Sequence, residues 1–272
     1  MRALVTDIER GATFDGPGIR TVVYFKGCPL RCLWCSNPET QKLENEFWDY
    51  DGSLYKRNRT SCSDCIATST LKQVAKDMTL EEVFTIVMKD ENFYRNSGGG
   101  VTLSGGEVLV NSAFAIKLFE KLKDEYVNTA IETTGYGSYR ELEKLAKLTD
   151  TILFDIKHMD SGKHKKYTAV SNEIILENLT KLSKWHKKII MRFPFIKGIN
   201  DDEKNIHETA KFLKKLNLLE VNILPYHTMG LEKYRKLRMP YLMKTLEKHT
   251  KEELDNALQI MKSYGLKAKL NG

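Results

Sequence analysis

Long apolar runs are missing from this chain of 272 residues. Nowhere do about 18 apolar residues follow one another, so no segment is expected to span a bilayer. The opening stretch MRALVTDIERGATFDG carries charges and no apolar centre, which argues against a secretory signal. Cysteine is scarce and odd in number, five in all. A disulfide framework is therefore not expected, and a cytoplasmic protein that keeps its thiols for metal or catalysis fits better. Low-complexity tracts are absent as well, and the composition is that of a globular protein. There is also no single block of like charge. The net charge is +7, but the lysines are spread along stretches such as KLFEKLKDE, KFLKKLN and LMKTLEKHTKEE, the pattern of solvated helix faces. Neither a nucleic-acid partner nor a membrane partner is expected. An acidic protein, such as a small electron carrier, suits the sign of the charge and would associate faster for it.

What is present is an alternation of strands and helices. Strand-like runs lie at 3–8, 20–27, 100–105, 128–133, 150–156, 188–195, 219–226 and 267–270. Helical stretches lie between them, one beginning at the capping box of Thr79 and Glu82. This spacing predicts an α/β fold with a parallel sheet and right-handed crossovers, closed into a full or partial barrel rather than an open doubly wound sheet. Residues 41–78 break the alternation and are read as an insertion in one domain spanning 1–272. Chemistry in barrels sits in the loops after strands. The notable residues follow that rule: the cysteines after one strand, Gly105-Gly106-Glu107 after the next, then Glu132-Thr133, Asp155-Ile156-Lys157 and Tyr226-His227.

In KGCPLRCLWCSNPET, Cys28, Cys32 and Cys35 are spaced C-x3-C-x2-C with no fourth thiol nearby. Thiolate clusters select zinc, copper(I) or iron–sulfur centres. A structural zinc wants four ligands, and Cys62 or Cys65 could donate one. A cubane iron–sulfur cluster on three thiolates leaves one iron open. Pro29 and Trp34 place rigid and apolar bulk beside the sulfurs, which suits the second arrangement.

GCPLRCLWC resembles the signature loop of radical S-adenosylmethionine (SAM) enzymes. TFDGPGIRTVVYFKGCPLRCLWCSNPET, SGGGVTLSGGE, IETTGYG, FDIKHMD, YTAVSNEIILENL, MRFPFIKGIND and LPYHTMGLEKY are each similar to segments of the glycyl radical enzyme activating enzymes. That resemblance covers nearly the whole chain outside the insertion. It implies a partial (β/α)6 TIM-like barrel of the radical SAM type with extra N- and C-terminal elements. It implies a [4Fe–4S] cluster on Cys28, Cys32 and Cys35, whose fourth iron binds SAM. It implies SAM contacts from Trp34, Cys35, Ser36, Gly105, Gly106, Glu107, Asp155, Ile156, Lys157, Arg192 and His227. On this reading the glycines let backbone approach the methionine moiety, Glu107 takes its ammonium group and Arg192 reaches its carboxylate. Glu132, Thr133 and Asp155 correspond to ligands of a monovalent cation, with Glu where relatives have Asp. Asp15 in DGPG corresponds to the residue that orients the incoming C-terminal glycine loop of a glycyl radical enzyme, the implied partner. Flavodoxin or ferredoxin is the implied electron donor.

Plainer readings stand beside these. The diglycine stretch is also a turn with a solvated acid, Asp-x-Lys a surface ion pair, His227 a packing residue and DGPG a simple turn. Many relatives carry eight cysteines and two further clusters in the insertion. Here only Cys62 and Cys65 remain, so a degenerate remnant without a second cluster is expected, with a reactive dithiol or a metal shared across a dimer as alternatives. Two other functions compete: a radical SAM reaction on a small molecule, and an iron–sulfur electron-transfer protein.

Overall fold

The computed structural model describes residues 1–49, 72–243 and 245–271. Cys62 and Cys65 lie outside the described residues. Strands β1 (Arg2–Ala12) and β2 (Arg20–Phe25) form an antiparallel hairpin with Val5 opposite Phe25. A separate ribbon joins β3 (Phe47–Trp48) to β4 (Lys72–Gln73). Strand β5 (Lys76–Thr79) then pairs with β1, Arg2 lying opposite Thr79. The expected insertion therefore gives way to the main sheet at Lys76, earlier than its sequence boundary at residue 78. From β2 onward every neighbour is parallel: β6 (Gly100–Gly105), β7 (Asn128–Thr133), β8 (Thr151–Asp155), β9 (Ile189–Phe195), β10 (Glu220–Pro225) and β11 (Lys267–Leu270).

The full order is β5-β1-β2-β6-β7-β8-β9-β10-β11. The edge strands β5 and β11 do not pair among the described residues, and Asn271 Nδ2, just after β11, donates to the Phe14 carbonyl in the turn between β1 and β2 at 3.4 Å. This is the expected partial barrel, with an antiparallel hairpin added at one edge.

The parallel strands are buried almost throughout because helices cover their outer face. Each crossover helix supplies an apolar stripe: Phe114, Ala115, Leu118, Phe119 and Leu122 on Ser112–Asp124, then Ile175, Leu179 and Leu182 on Glu173–Leu182. Each fully buried Leu or Phe contributes about 1.5–3 kcal/mol of transfer free energy. Thr79 and Glu82 form the expected capping box, and Thr250 and Glu253 form a second. Three short helices were not foreseen: Glu91–Ser97, Ser161–Thr168 and Leu231–Leu237. Their sequences carry too few apolar residues to mark a face. Among the described residues no helix is long and apolar enough to cross a membrane.

Inside the barrel the first residue of β2, Arg20, is fully buried. Its guanidinium donates to Thr102 Oγ1 at 2.6 Å, the Val101 carbonyl at 2.8 Å, and Pro17 O and Asn128 Oδ1 at 3.0 Å. Thr102 Oγ1 in turn donates to the Asp15 carbonyl at 2.7 Å. The arginine of DGPGIR thus fastens its own loop to β6 and β7. Burial lowers its pKa to about 10, opposed by the charges of Tyr94, Asp150 and Asp15. Arg20→Met would strand several buried acceptors and is expected to cost about 3 kcal/mol of stability. Urea unfolding is the check: the midpoint should fall clearly for Arg20→Met and hardly move for a substitution at exposed Arg95.

Candidate functional site

The cysteine loop leaves β2 under firm constraint. Lys26 is buried and donates to the Glu39 carbonyl at 2.7 Å and to Glu46 Oε2 at 2.9 Å. The Gly27 amide donates to Thr40 O at 2.6 Å and the Cys28 amide to Gln41 O at 3.0 Å. Further along, the Arg31 and Leu33 amides bond the Thr168 and Tyr167 carbonyls at 2.7 and 3.1 Å, and Cys35 N closes a turn onto Cys32 O at 3.1 Å. Cys28, Cys32 and Cys35 are all free thiols and half-buried. Burial pushes the Cys28 and Cys32 thiols up to about 12, and raises Cys35 too. The Lys157 ammonium works against that rise at Cys32 and Cys35. Thiols in such surroundings ionise when a metal binds them. Among the described residues no group of three or more His, Cys, Asp or Glu side chains converges on one metal ion. A cubane asks for something different, one thiolate at each of three separate irons, and one short strapped loop carrying three free thiols fits that demand.

The wall beside this loop is the end of β6, where Gly105, Gly106 and Glu107 all make close contacts with the protein. A Cβ on Gly105 would lie 2.3 Å from the Phe25 backbone, and one on Gly106 would lie 2.1 Å from Gly27 O. The glycines are needed for close packing against β2 and the start of the cysteine loop. Glu107 is not a free carboxylate. It is fully buried; Oε1 accepts from Leu109 N at 3.2 Å and Thr133 Oγ1 at 2.5 Å, while Oε2 accepts from Thr134 N at 2.8 Å and Thr134 Oγ1 at 2.6 Å. With every lone pair engaged it has none left for an ammonium group. Burial raises its pKa and these four donors oppose the rise. Its amide also donates to Gly27 O at 2.9 Å, so Glu107 ties β6, β7 and the cysteine loop into one unit.

At the mouth of the barrel the charges interlock. Asp155 and Lys157 leave β8 on the same face, with Lys157 Nζ 2.9 Å from Asp155 Oδ2. Burial alone would lower the Lys157 pKa; Asp155, Cys32 and Cys28 outweigh it and hold the ammonium charged. Ile156, between them, turns its side chain into the main core. Arg192 Nη1 bonds Glu132 Oε1, its Nε stands 3.6 Å from Asp155 Oδ1, and Asp15 Oδ1 is 3.9 Å from Nη1. Ser104 Oγ holds the other Glu132 oxygen at 2.5 Å. The positive charge between Glu132 and Asp155 is therefore the guanidinium, and the Thr133 hydroxyl is turned to Glu107. Apart from Asp155 Oδ1, the side-chain oxygens of Glu132, Thr133 and Asp155 already have protein partners. Two buried atoms in this cluster, Asp155 Oδ1 and Arg192 Nε, make no hydrogen bond.

On the far side of Cys35 a narrow cleft is lined by Trp34, Cys35, Ser36, His227, Thr228 and Tyr241, among others. Four of the expected contacts meet there, the consecutive Trp34, Cys35 and Ser36 and the remote His227. His227 Nδ1 is buried without a partner, and burial lowers the imidazole pKa. Trp34, Ile196, Ile199 and Tyr226 form a second apolar cluster against which Cys32, Leu33, Tyr167 and Tyr241 pack. Tyr226 and Tyr241 join hydroxyls at 2.8 Å. Ser104, Thr134 and Tyr241 were missed from sequence. Ser104 alternates with Thr102 on one face of β6, a signal that strand periodicity could have supplied.

The geometry has a match among known proteins. The Radical SAM superfamily model covers residues 22–213. The (2S)-3-sulfopropanediol dehydratase activating enzyme of Klebsiella oxytoca is 37% identical over 96% of this chain and 93% of its own length. The chain belongs to the radical SAM glycyl radical enzyme activating enzymes. Another such activating enzyme, for trans-4-hydroxy-L-proline dehydratase in Clostridioides difficile, is 34% identical over the full length of both chains. A solved domain of a pyruvate-formate lyase-activating enzyme from Bacteroides vulgatus is 31% identical, with a TM-score of 0.55, covering 64% of this chain and 99% of that domain. The radical SAM barrel is also seen in a methyltransferase from Sphaerobacter thermophilus, with a TM-score of 0.62 at 15% identity over 98% of this chain and 76% of the other, a likeness of fold alone.

Proposed function

We propose that this radical SAM activating enzyme installs a glycyl radical in a partner enzyme, and that it does so as a single domain. The observation that carries the reading is the continuity of the site. The thiols of Cys28, Cys32 and Cys35 run through Lys157 and Asp155 to Arg192 and on to Asp15, and DGPG is buttressed by Arg20. A cluster and SAM bound there would supply one-electron cleavage of the sulfonium and a 5′-deoxyadenosyl radical able to take hydrogen from a glycine.

The chain's own residues do the rest. The three thiolates hold the cluster. Lys157 and Arg192 balance the carboxylates around them, so that a cationic sulfonium with its carboxylate meets a site near neutrality. Trp34, Ser36 and His227 shape one end of the ligand cleft, and the apolar cluster around Trp34 and Tyr226 excludes water. Glu107 positions the loop. Asp15 receives the partner's glycine segment. A flavodoxin or ferredoxin in the cytoplasm supplies the electron. The relatives activate different enzymes, so the class of client is proposed and not the individual. The test is anaerobic reconstitution with iron and sulfide followed by dithionite and SAM. Formation of 5′-deoxyadenosine is expected, with a glycyl radical doublet when a matching dehydratase or lyase is added. Reconstituted protein that forms no nucleoside would sink the reading.

A further inference from the structure

The helix Ser161–Thr168 lies directly on the cysteine loop, joined to it by the Arg31 and Leu33 amides on the Thr168 and Tyr167 carbonyls. His164 and Thr168 face inward, and Lys165 and Lys166 are exposed. The Lys166 ammonium sits 5.2 Å from the centre of the Tyr167 ring, which packs into the same apolar cluster as Cys32 and Leu33. Arg31, between two of the cysteines, is exposed, and its guanidinium bonds the Cys28 and Leu30 carbonyls. Among the described residues no carboxylate forms an ion pair with Arg31, Lys165 or Lys166. The acids around this helix, Asp160, Glu173 and Asp202, serve its other end, where they are engaged by the Lys163 amide, Ser161 and Lys163 Nζ. Three cations without an ion pair among the described residues thus flank the backbone that carries Cys32. Many other helix lysines are paired, as Lys117 with Glu120 and Lys181 with Glu177, and those that are not, such as Lys214 and Lys215, lie on a helix away from the cysteine loop.

We propose that Arg31, Lys165 and Lys166 form the docking surface for an acidic one-electron carrier protein. This inference rests on the function proposed above. In the complex the carrier gives up one electron to the iron–sulfur group on the cysteines; no bond or proton is exchanged. Positive charge fits this role because it steers an acidic surface into contact and makes association salt-dependent. The position of the patch determines where the carrier lands, over Cys32 and its loop.

The test uses the reconstituted full chain with a reduced acidic flavodoxin. Lys165→Glu combined with Lys166→Glu is expected to weaken flavodoxin binding at least about tenfold and to flatten its salt dependence. Flavodoxin-driven 5′-deoxyadenosine formation should slow in parallel, while the dithionite-driven rate stays unchanged. Lys214→Glu with Lys215→Glu changes the net charge equally at exposed sites on another helix and should leave flavodoxin binding near the parental value. Equal losses in the two double variants, or unaltered binding in the first, would overturn the docking surface. Failure of dithionite-driven cleavage in the parental protein would instead overturn the function on which it rests, and a misfolded first variant would be exposed by loss of its dithionite-driven rate. Lys166→Gln, the milder change, would then carry the binding measurement.

Discussion

Cys32→Ala is expected to abolish SAM cleavage and to remove most of the iron taken up on anaerobic reconstitution. Altering an outer-shell partner of a metal typically costs 10–100-fold, and losing one of three ligands should exceed that, with activity down at least about a thousandfold. The structure gives a reason to expect no rescue. The loop is strapped at Gly27, Cys28, Arg31 and Leu33 by backbone hydrogen bonds to three different segments, so another side chain cannot easily be drawn into the vacated position. These straps do not involve the thiols, so the apo protein should fold as the parent does. Iron analysis and nucleoside chromatography on Cys28, Cys32 and Cys35 variants check this. A Cys32→Ala protein that kept both its iron and its cleavage activity would contradict it.

Glu107→Gln should have the second large effect, on folding rather than on ligand contact. The carboxylate satisfies two backbone amides and two hydroxyls. A Gln side chain offers one oxygen and one NH2 group. Placed either way, its nitrogen faces a backbone amide, that of Leu109 or that of Thr134. The hydroxyls can rotate to accept, but an amide cannot. One buried N–H is therefore left unpaired, at about 1–3 kcal/mol. Glu107→Ala removes all four acceptor contacts and opens a cavity, which should raise the cost to about 3–5 kcal/mol. Denaturant unfolding without SAM separates this from a ligand role. Unchanged stability with a selective loss of SAM affinity would show that the carboxylate serves the cofactor after all.

These two residues also show how far the site could be read in advance. The cysteine spacing is local, so three thiols on one short loop were visible directly, as were the crossover helices whose stripes recur every turn. Asp155 and Lys157 were expected on one face because a strand alternates, and they form an ion pair there. Glu107 was given a different task, because its partners Thr133 and Thr134 arrive from the next strand and no pattern in SGGE announces them. Gly105 and Gly106 were read as letting backbone approach a ligand; the assembled sheet adds the β2 backbone, 2.3 Å from where a Gly105 side chain would begin. The two carboxylates read as cation ligands, Glu132 and Asp155, both lie against Arg192, a grouping of β7, β8 and β9 that depends on strand register. Strand β5 was hidden in a polar stretch because an edge strand of KDMT has too few residues to show a period.

The central claim is that three thiolates carry a cubane whose remaining iron is taken by SAM. Electron paramagnetic resonance of the dithionite-reduced, anaerobically reconstituted protein tests it most directly. A [4Fe–4S]⁺ signal should appear and change shape when SAM is added. A zinc-loaded protein with no such signal, or a spectrum indifferent to SAM, would contradict the account.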